Sequence, residues 1–218
     1  MKAPLGRREG RPIENRRPLS SRDTGWARWT AQLLLRTGLS ADQVSLIGIL
    51  FSGLGAAAFV LAPQRPWLFL LGALGIQLRL LCNLFDGMIA VEGGRKSPYG
   101  PLFNEAPDRI EDSLFLVAFG WAGGLLWLGL LAALLACLTA YVRVLGGSFG
   151  LPQDFVGPMA KQHRMALLTL GSLIAMVESW AWDSLLSIEV VLWIVVAGAA
   201  VTAARRTARI AAALEAAT

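Results

Sequence analysis

Residues 82–112 read CNLFDGMIAVEGGRKSPYGPLFNEAPDRIED, and the organisation of the whole chain turns on them. The stretch lies between long apolar runs, yet it gathers Asn83, Asp86, Asn104, Asp108 and Asp112 within thirty residues. Polar side chains near a bilayer are costly to keep, and they mark functional sites. What they hold, and why two of them are amides, are the questions the sequence poses.

That a bilayer is involved follows from composition. The chain has 218 residues, 55% of them hydrophobic, with a mean hydropathy of +0.55, which excludes an ordinary soluble domain. Several windows reach the length of about 20 apolar residues that a spanning helix needs. The sequence predicts an all-α integral membrane domain of six transmembrane helices, over roughly 43–62, 67–90, 109–124, 126–146, 163–181 and 185–204. The second and third carry the polar stretch at their inner ends. Short connections imply one compact bundle.

Ahead of these runs, the first 37 residues hold Lys2 and eight arginines between Arg7 and Arg36. The first apolar run begins near Val44, too late for a signal peptide. The pairs Arg7-Arg8 and Arg16-Arg17 also lack the apolar core that twin-arginine export requires. Residues 24–38 place Trp26, Trp29, Leu33 and Leu34 at helical spacing, which predicts an amphipathic helix lying in the membrane interface. The expected layout is a basic N-terminus (1–23), the interfacial helix (24–38), the membrane domain (39–205) and a C-terminal tail (206–218).

Basic residues set the expected orientation. With six spans, Arg95, Lys96, Arg109, Lys161, Arg164, Arg205, Arg206 and Arg209 share one side with the N-terminus, against Arg65 alone on the other. The polar stretch and both termini are therefore expected at the cytoplasmic face of a plasma (bacterial inner) membrane. Trp67, Trp121, Trp127, Trp180 and Trp182 then fall near the outer interface, where indoles prefer to sit. The net charge of +5 suits anionic lipid, and no nucleic-acid motif accompanies it. Cys82 and Cys137 read as small apolar residues inside spans, without a disulfide.

On a helix, residues three or four apart share a face. Asn83, Asp86, Gly87 and Ala90 form one stripe; Gly100, Asn104, Asp108 and Asp112 form a second. Small residues allow a ligand or backbone close approach. Two helices presenting oxygens to each other can build a metal site, and oxygen ligands without His or Cys suit magnesium, manganese or calcium. Taken singly, each residue has a plainer reading: Asn104 as a helix cap, and Asp108-Arg109 and Glu111-Asp112 as a hydrated edge. The spacing of the whole set favours a site.

That spacing resembles the CDP-alcohol phosphotransferase family, whose pattern is D-x2-D-G-x2-A-R-x8-G-x3-D-x3-D. Without a gap it falls on Asn83, Asp86, Gly87, Ala90, Val91, Gly100, Asn104 and Asp108, and five of the eight positions match. The segment LSADQVSLIG (39–48) also resembles the family's Thr-Pro-Asn-Gln-Val-Thr lead into its first span, so the likeness covers about 43–205. The resemblance implies a metal-dependent transferase of phospholipid synthesis. Its donor would be a CDP-alcohol, most often CDP-diacylglycerol, with CMP leaving, and it would be a homodimer by analogy.

Carried over residue by residue, the resemblance implies one or two magnesium or manganese ions on Asn83, Asp86, Asn104 and Asp108, with Asp112 available to complete the shell. Asp108 would also be the general base. Gly87, Ala90 and Gly100 would give the nucleotide room. Val91 stands where the family has Arg, leaving Arg95 or Lys96 to contact phosphate. Asn83 and Asn104 replace the first and third acids; an amide oxygen still ligates a hard cation, at the loss of a charge. Arg109, Arg143, Lys161 and Arg164 could receive an acceptor alcohol, including a phosphorylated one such as glycerol phosphate or inositol phosphate.

The two amides also keep a catalytically silent CDP-lipid-binding homologue in view, and an ion transporter stands behind it. The transporter reading is weak, since no acidic residue continues the cluster to the other face. His163 reads as a solvated loop residue, Glu178 and Glu189 as interfacial. EGGRKS lacks the spacing of a phosphate-binding P-loop.

Overall fold

The computed structural model describes residues 24–92 and 100–217, without the side chains at 91, 92, 100, 101, 103 and 104. The helices are α1 (Gly25–Arg36), α2 (Ala41–Leu61), α3 (Leu68–Glu92), α4 (Gly100–Ala122), α5 (Leu126–Ser148), α6 (Lys161–Trp182) and α7 (Leu186–Glu215). Among the described residues there is no strand.

Residues 39–48 lead into α2 for a local reason. The Gln43 amide donates to Ser40 Oγ at 3.2 Å, and the Ser40 amide donates to Gln43 Oε1 at 2.9 Å. This reciprocal capping box satisfies two amides that a helix start leaves without partners.

Helices α2, α3, α6, α7, α5 and α4 pack in that order into a closed ring, α4 returning to α2. α4 also touches α3, α6 and α7, so the long helix that is not apolar enough by itself to cross a membrane meets every other long helix. Glycines permit two of the closest approaches. A Cβ on Gly75 would stand 2.8 Å from the Gly55 Cα between α3 and α2, and one on Gly120 2.8 Å from the Gly129 Cα between α4 and α5. In a bilayer, where tails are as apolar as side chains, such close backbone packing is a main source of helix association. Phe59, Phe69, Phe115 and Phe119 fill the centre, and Phe59 meets Phe119 edge-on at 5.3 Å.

Five helices, all but α1 and α4, are long and apolar enough to cross a membrane. The 23-residue α4 matches them in length, but Glu105, Asp108, Arg109, Glu111 and Asp112 lower its hydropathy. It also starts nine residues before the expected 109, at Gly100. Asn104 and Pro107 are therefore inside the helix, and the reading of Asn104 as its cap is corrected. Pro107 has no amide, so the carbonyl one turn earlier loses its usual partner.

α1 buries Ala27 and Ala31 and leaves Trp26, Trp29 and Leu33 exposed, an apolar face turned outward. Trp67, Trp121, Trp127, Trp180 and Trp182 are likewise exposed, all at one set of helix ends. α7 runs unbroken past residue 206. Arg206 donates to the Thr139 carbonyl at 2.7 Å, and Arg209 to Asp154 at 2.8 Å, tying α7 to α5 and to the α5–α6 connection.

Candidate functional site

The two stripes meet. Asn83 on α3 donates from Nδ2 to Asp108 Oδ1 on α4 at 2.6 Å. Asp86, buried one turn later, accepts from Ser45 Oγ of α2 at 2.8 Å through Oδ2. Its Oδ1 is buried with no hydrogen-bond partner among the described residues. Asn83, Gly87 and Ala90 are only half-buried, so this stripe borders the more open part of the site.

Beneath it lies a buried charge network that the motif does not contain. Arg79, one turn before Asn83, is wholly buried. It donates from Nε to Glu111 Oε2 at 2.5 Å, and from Nη2 to Asp108 Oδ1 and Asp112 Oδ1, both at 3.1 Å. Arg164 of α6 donates to Asp112 Oδ2 at 2.9 Å and to the Met159 carbonyl at 2.9 Å. Lys161, at the start of α6, donates to Asp108 Oδ1. Ion pairs removed from water hold best when each charge finds several partners. Arg79, Asp108, Asp112 and Arg164 meet that condition, whereas among the described residues Glu111 pairs with Arg79 alone, and Arg79 Nη1 and Arg164 Nε are buried without a hydrogen-bond partner.

Asp108 is therefore asymmetric. Its Oδ1 receives Asn83, Arg79 and Lys161, while the ion partner of Oδ2 among the described residues is Arg109, at 3.6 Å. Asp112 has both oxygens engaged by guanidinium groups. A group of basic residues stands outside Asp108: Arg143 Nη2 meets Glu105 Oε1 and Oε2 at 2.6 and 2.5 Å, and Arg109 Nη2 lies 3.5 Å from the same carboxylate.

Among the described residues no set of three His, Cys, Asp or Glu side chains is arranged for a metal ion. Asp86 and Asp108 are the two acids on the facing stripes outside the buried brace, so a cation there needs the amides as ligands. The orphaned Asp86 Oδ1 and the Asn83 carbonyl left over when its Nδ2 donates to Asp108 are hard donors that fit a magnesium or manganese ion.

The sequence-predicted site residues divide accordingly. Asn83, Asp86 and Asp108 come together, with Asp112 behind them. Gly87 and Ala90 lie on the same α3 stripe, and Gly100 opens α4. The Asn104 side chain, Arg95 and Lys96 are outside the described residues. Arg109 and Lys161 lie against Asp108, Arg143 is held by Glu105 one turn before it, and Arg164 is buried in the brace. His163 is exposed, and Glu178 receives the Leu186 and Ser187 amides, both at 2.9 Å, closing the start of α7. Cys82 and Cys137 are both free thiols, Cys82 buried and Cys137 half-buried.

Sequence reasoning missed Arg79, Glu105 and Ser45, and set Glu111 aside as a hydrated edge. Arg79 did leave a signal: it is a lone arginine in the apolar run IQLRLLCN, four residues before Asn83 and so on its face.

No family model matches the chain. It is similar to phosphatidylinositol phosphate synthase of Streptomyces avermitilis, 29% identical over 81% of this chain and 74% of that protein. It is equally similar, at 29% over 70% of this chain and 77% of the other, to inner membrane protein YnbA of Escherichia coli. Its fold matches Mycobacterium tuberculosis phosphatidylinositol phosphate synthase (PgsA1) in complex with manganese and citrate. The TM-score is 0.69 at 22% identity, over 83% of this chain and 87% of that one. The same protein with CDP-DAG bound gives a TM-score of 0.68, covering 83% and 91%.

Proposed function

The chain belongs to the CDP-alcohol phosphotransferase family, and from that premise we propose that it is a metal-dependent membrane phosphotransferase of phospholipid synthesis. It moves a phosphatidyl group from CDP-diacylglycerol to an acceptor alcohol and releases CMP. One observation carries the reading: the motif stripes of α3 and α4 converge, with Asn83 and Asp108 2.6 Å apart and an unpartnered carboxylate oxygen of Asp86 beside them.

Magnesium or manganese is the fitting cofactor; Asp86, Asn83 and Asn104 would hold it beside Asp108, and there it would neutralise the diphosphate and the leaving CMP. The chain's own residues do the rest. Asp108 serves as general base through Oδ2, because three donors already occupy Oδ1. Lys161 and Arg79 fix that carboxylate, and Asp112 with Arg164 braces the wall behind it rather than adding a ligand. The half-buried stripe of Gly87 and Ala90, together with Gly100, leaves room for the nucleotide. Arg95 and Lys96 take the phosphate contact of the family arginine that Val91 replaces. Arg109, Arg143 and Lys161 border the acceptor.

We propose further that α2 to α7 are six spans and that α1 lies in the interface. The buried position of α4 among its neighbours offsets its low hydropathy and supports this reading. The site and both termini then face the cytoplasm, with 1–23 a basic arm, 39–205 the membrane domain and 206–218 continuing α7 beyond the bilayer as the C-terminal tail. By analogy the protein is a homodimer.

The test is a panel of acceptor alcohols given to the purified protein with CDP-diacylglycerol and magnesium or manganese, read as CMP. CMP release with at least one acceptor, abolished by Asp108→Ala, is expected. Retained donor binding with no CMP from any acceptor would establish instead the silent homologue that Asn83 and Asn104 suggest.

A further inference from the structure

The transferase reading leaves the acceptor open, and the charges beside Asp108 narrow it. We propose that Glu105 makes this site selective for an acceptor alcohol that carries no phosphate. The proposal rests on the transferase reading, which requires an acceptor hydroxyl at Asp108.

Glu105 is three residues before Asp108 on α4, so the two share a helix face. Its carboxylate grips Arg143 through both oxygens, at 2.6 and 2.5 Å, and Arg109 approaches the same group at 3.5 Å. Arg143 is held from its other side as well: Nη1 donates to Gln153 at 3.0 Å, and the guanidinium lies 4.9 Å from the centre of the Phe155 ring. The two arginines most open beside the base are thus already joined to a carboxylate of the chain. Of the other described cations near Asp108, Lys161 is committed to Asp108, Arg164 to Asp112 and Arg79 to all three carboxylates of the network.

A phosphate monoester carries close to two negative charges at neutral pH and is usually gripped by a guanidinium fork. Here it would have to displace Glu105 from Arg143 and then sit against the freed carboxylate, a like-charge contact that disfavours binding. A neutral polyol meets no such penalty. Its hydroxyls can donate to the Glu105 oxygens, which a third of the side chain's exposure leaves within reach. Glu105 therefore fills the position that a phosphorylated acceptor needs.

The experiment compares matched pairs, glycerol with glycerol 3-phosphate and myo-inositol with myo-inositol 1-phosphate, in the native protein and in Glu105→Gln. CMP release gives kcat/KM, and thermophoresis gives direct binding of each phosphorylated probe. The native protein should favour the phosphate-free member by about tenfold or more, the scale of one uncompensated like-charge contact. Glu105→Gln, which keeps the shape and removes the charge, should reduce that ratio by about tenfold and bring in binding of the phosphorylated probes. A native preference for phosphorylated acceptors, or a ratio and binding that Glu105→Gln leaves unmoved, overturns the proposal. CMP from no acceptor would sink the transferase reading instead, while the binding comparison still decides the role of Glu105. Should Glu105→Gln not fold, Glu105→Asp, which withdraws the carboxylate by one methylene, should give a smaller shift in the same direction; no shift counts against the proposal.

Discussion

Replacing Arg79 by methionine probes the network that holds the site together. The guanidinium is wholly buried, and its 2.5 Å bond to Glu111 is the shortest of its three ion pairs. Asp108 would keep Asn83 and Lys161, and Asp112 would keep Arg164. Glu111, also buried, would keep no ion pair among the described residues. Breaking a buried pair on one side costs about 3–5 kcal/mol, because the other charge is left uncompensated. For a chain of this size each kcal/mol moves Tm by about 2–4 °C, so Arg79→Met should lower it by about 10 °C. Replacing the whole pair by apolar groups is often nearly neutral, so Arg79→Met/Glu111→Met should regain most of the loss. Unfolding in detergent, followed by tryptophan fluorescence, measures both variants. A loss under about 2 °C in the single variant, or a double variant no better than the single, would refute the reasoning.

Two further outcomes follow from the same geometry. A Cβ on Gly48 would lie 2.8 Å from Glu111 Oε1, so Gly48→Ala should push Glu111 off Arg79 and destabilise by about 1–3 kcal/mol, read as a fall in Tm. Asn83→Asp restores a charge next to Asp108 and should tighten manganese binding roughly tenfold, the scale on which ligand charge tunes hard-cation sites. The check is whether manganese raises the Tm of this variant more than that of the native protein.

The residues of 82–112 carried much of this site in the sequence. The spacing of Asn83, Asp86 and Asp108 is helical, and helical spacing is what periodicity reports, so their meeting across α3 and α4 was legible. The start of α4 was not. Its first nine residues, with Gly100, Pro101, Asn104 and Pro107 among them, read as a loop in sequence but continue the helix in the fold. Arg79 with Glu111, and Glu105 with Arg143, lie 32 and 38 residues apart, beyond the reach of any local pattern. Arg143 in particular reads in sequence as a free cation at the inner face. Only the fold shows that a carboxylate of the same chain already holds it.

Transfer itself is tested most directly by following both products from CDP-diacylglycerol. With magnesium or manganese and a competent acceptor, CMP and the phosphatidyl alcohol should appear in equal amounts by mass spectrometry, and Asp108→Asn should lose both while still binding the donor. CMP accompanied by phosphatidic acid would mean hydrolysis in place of transfer. Undiminished product from Asp108→Asn would contradict the account outright.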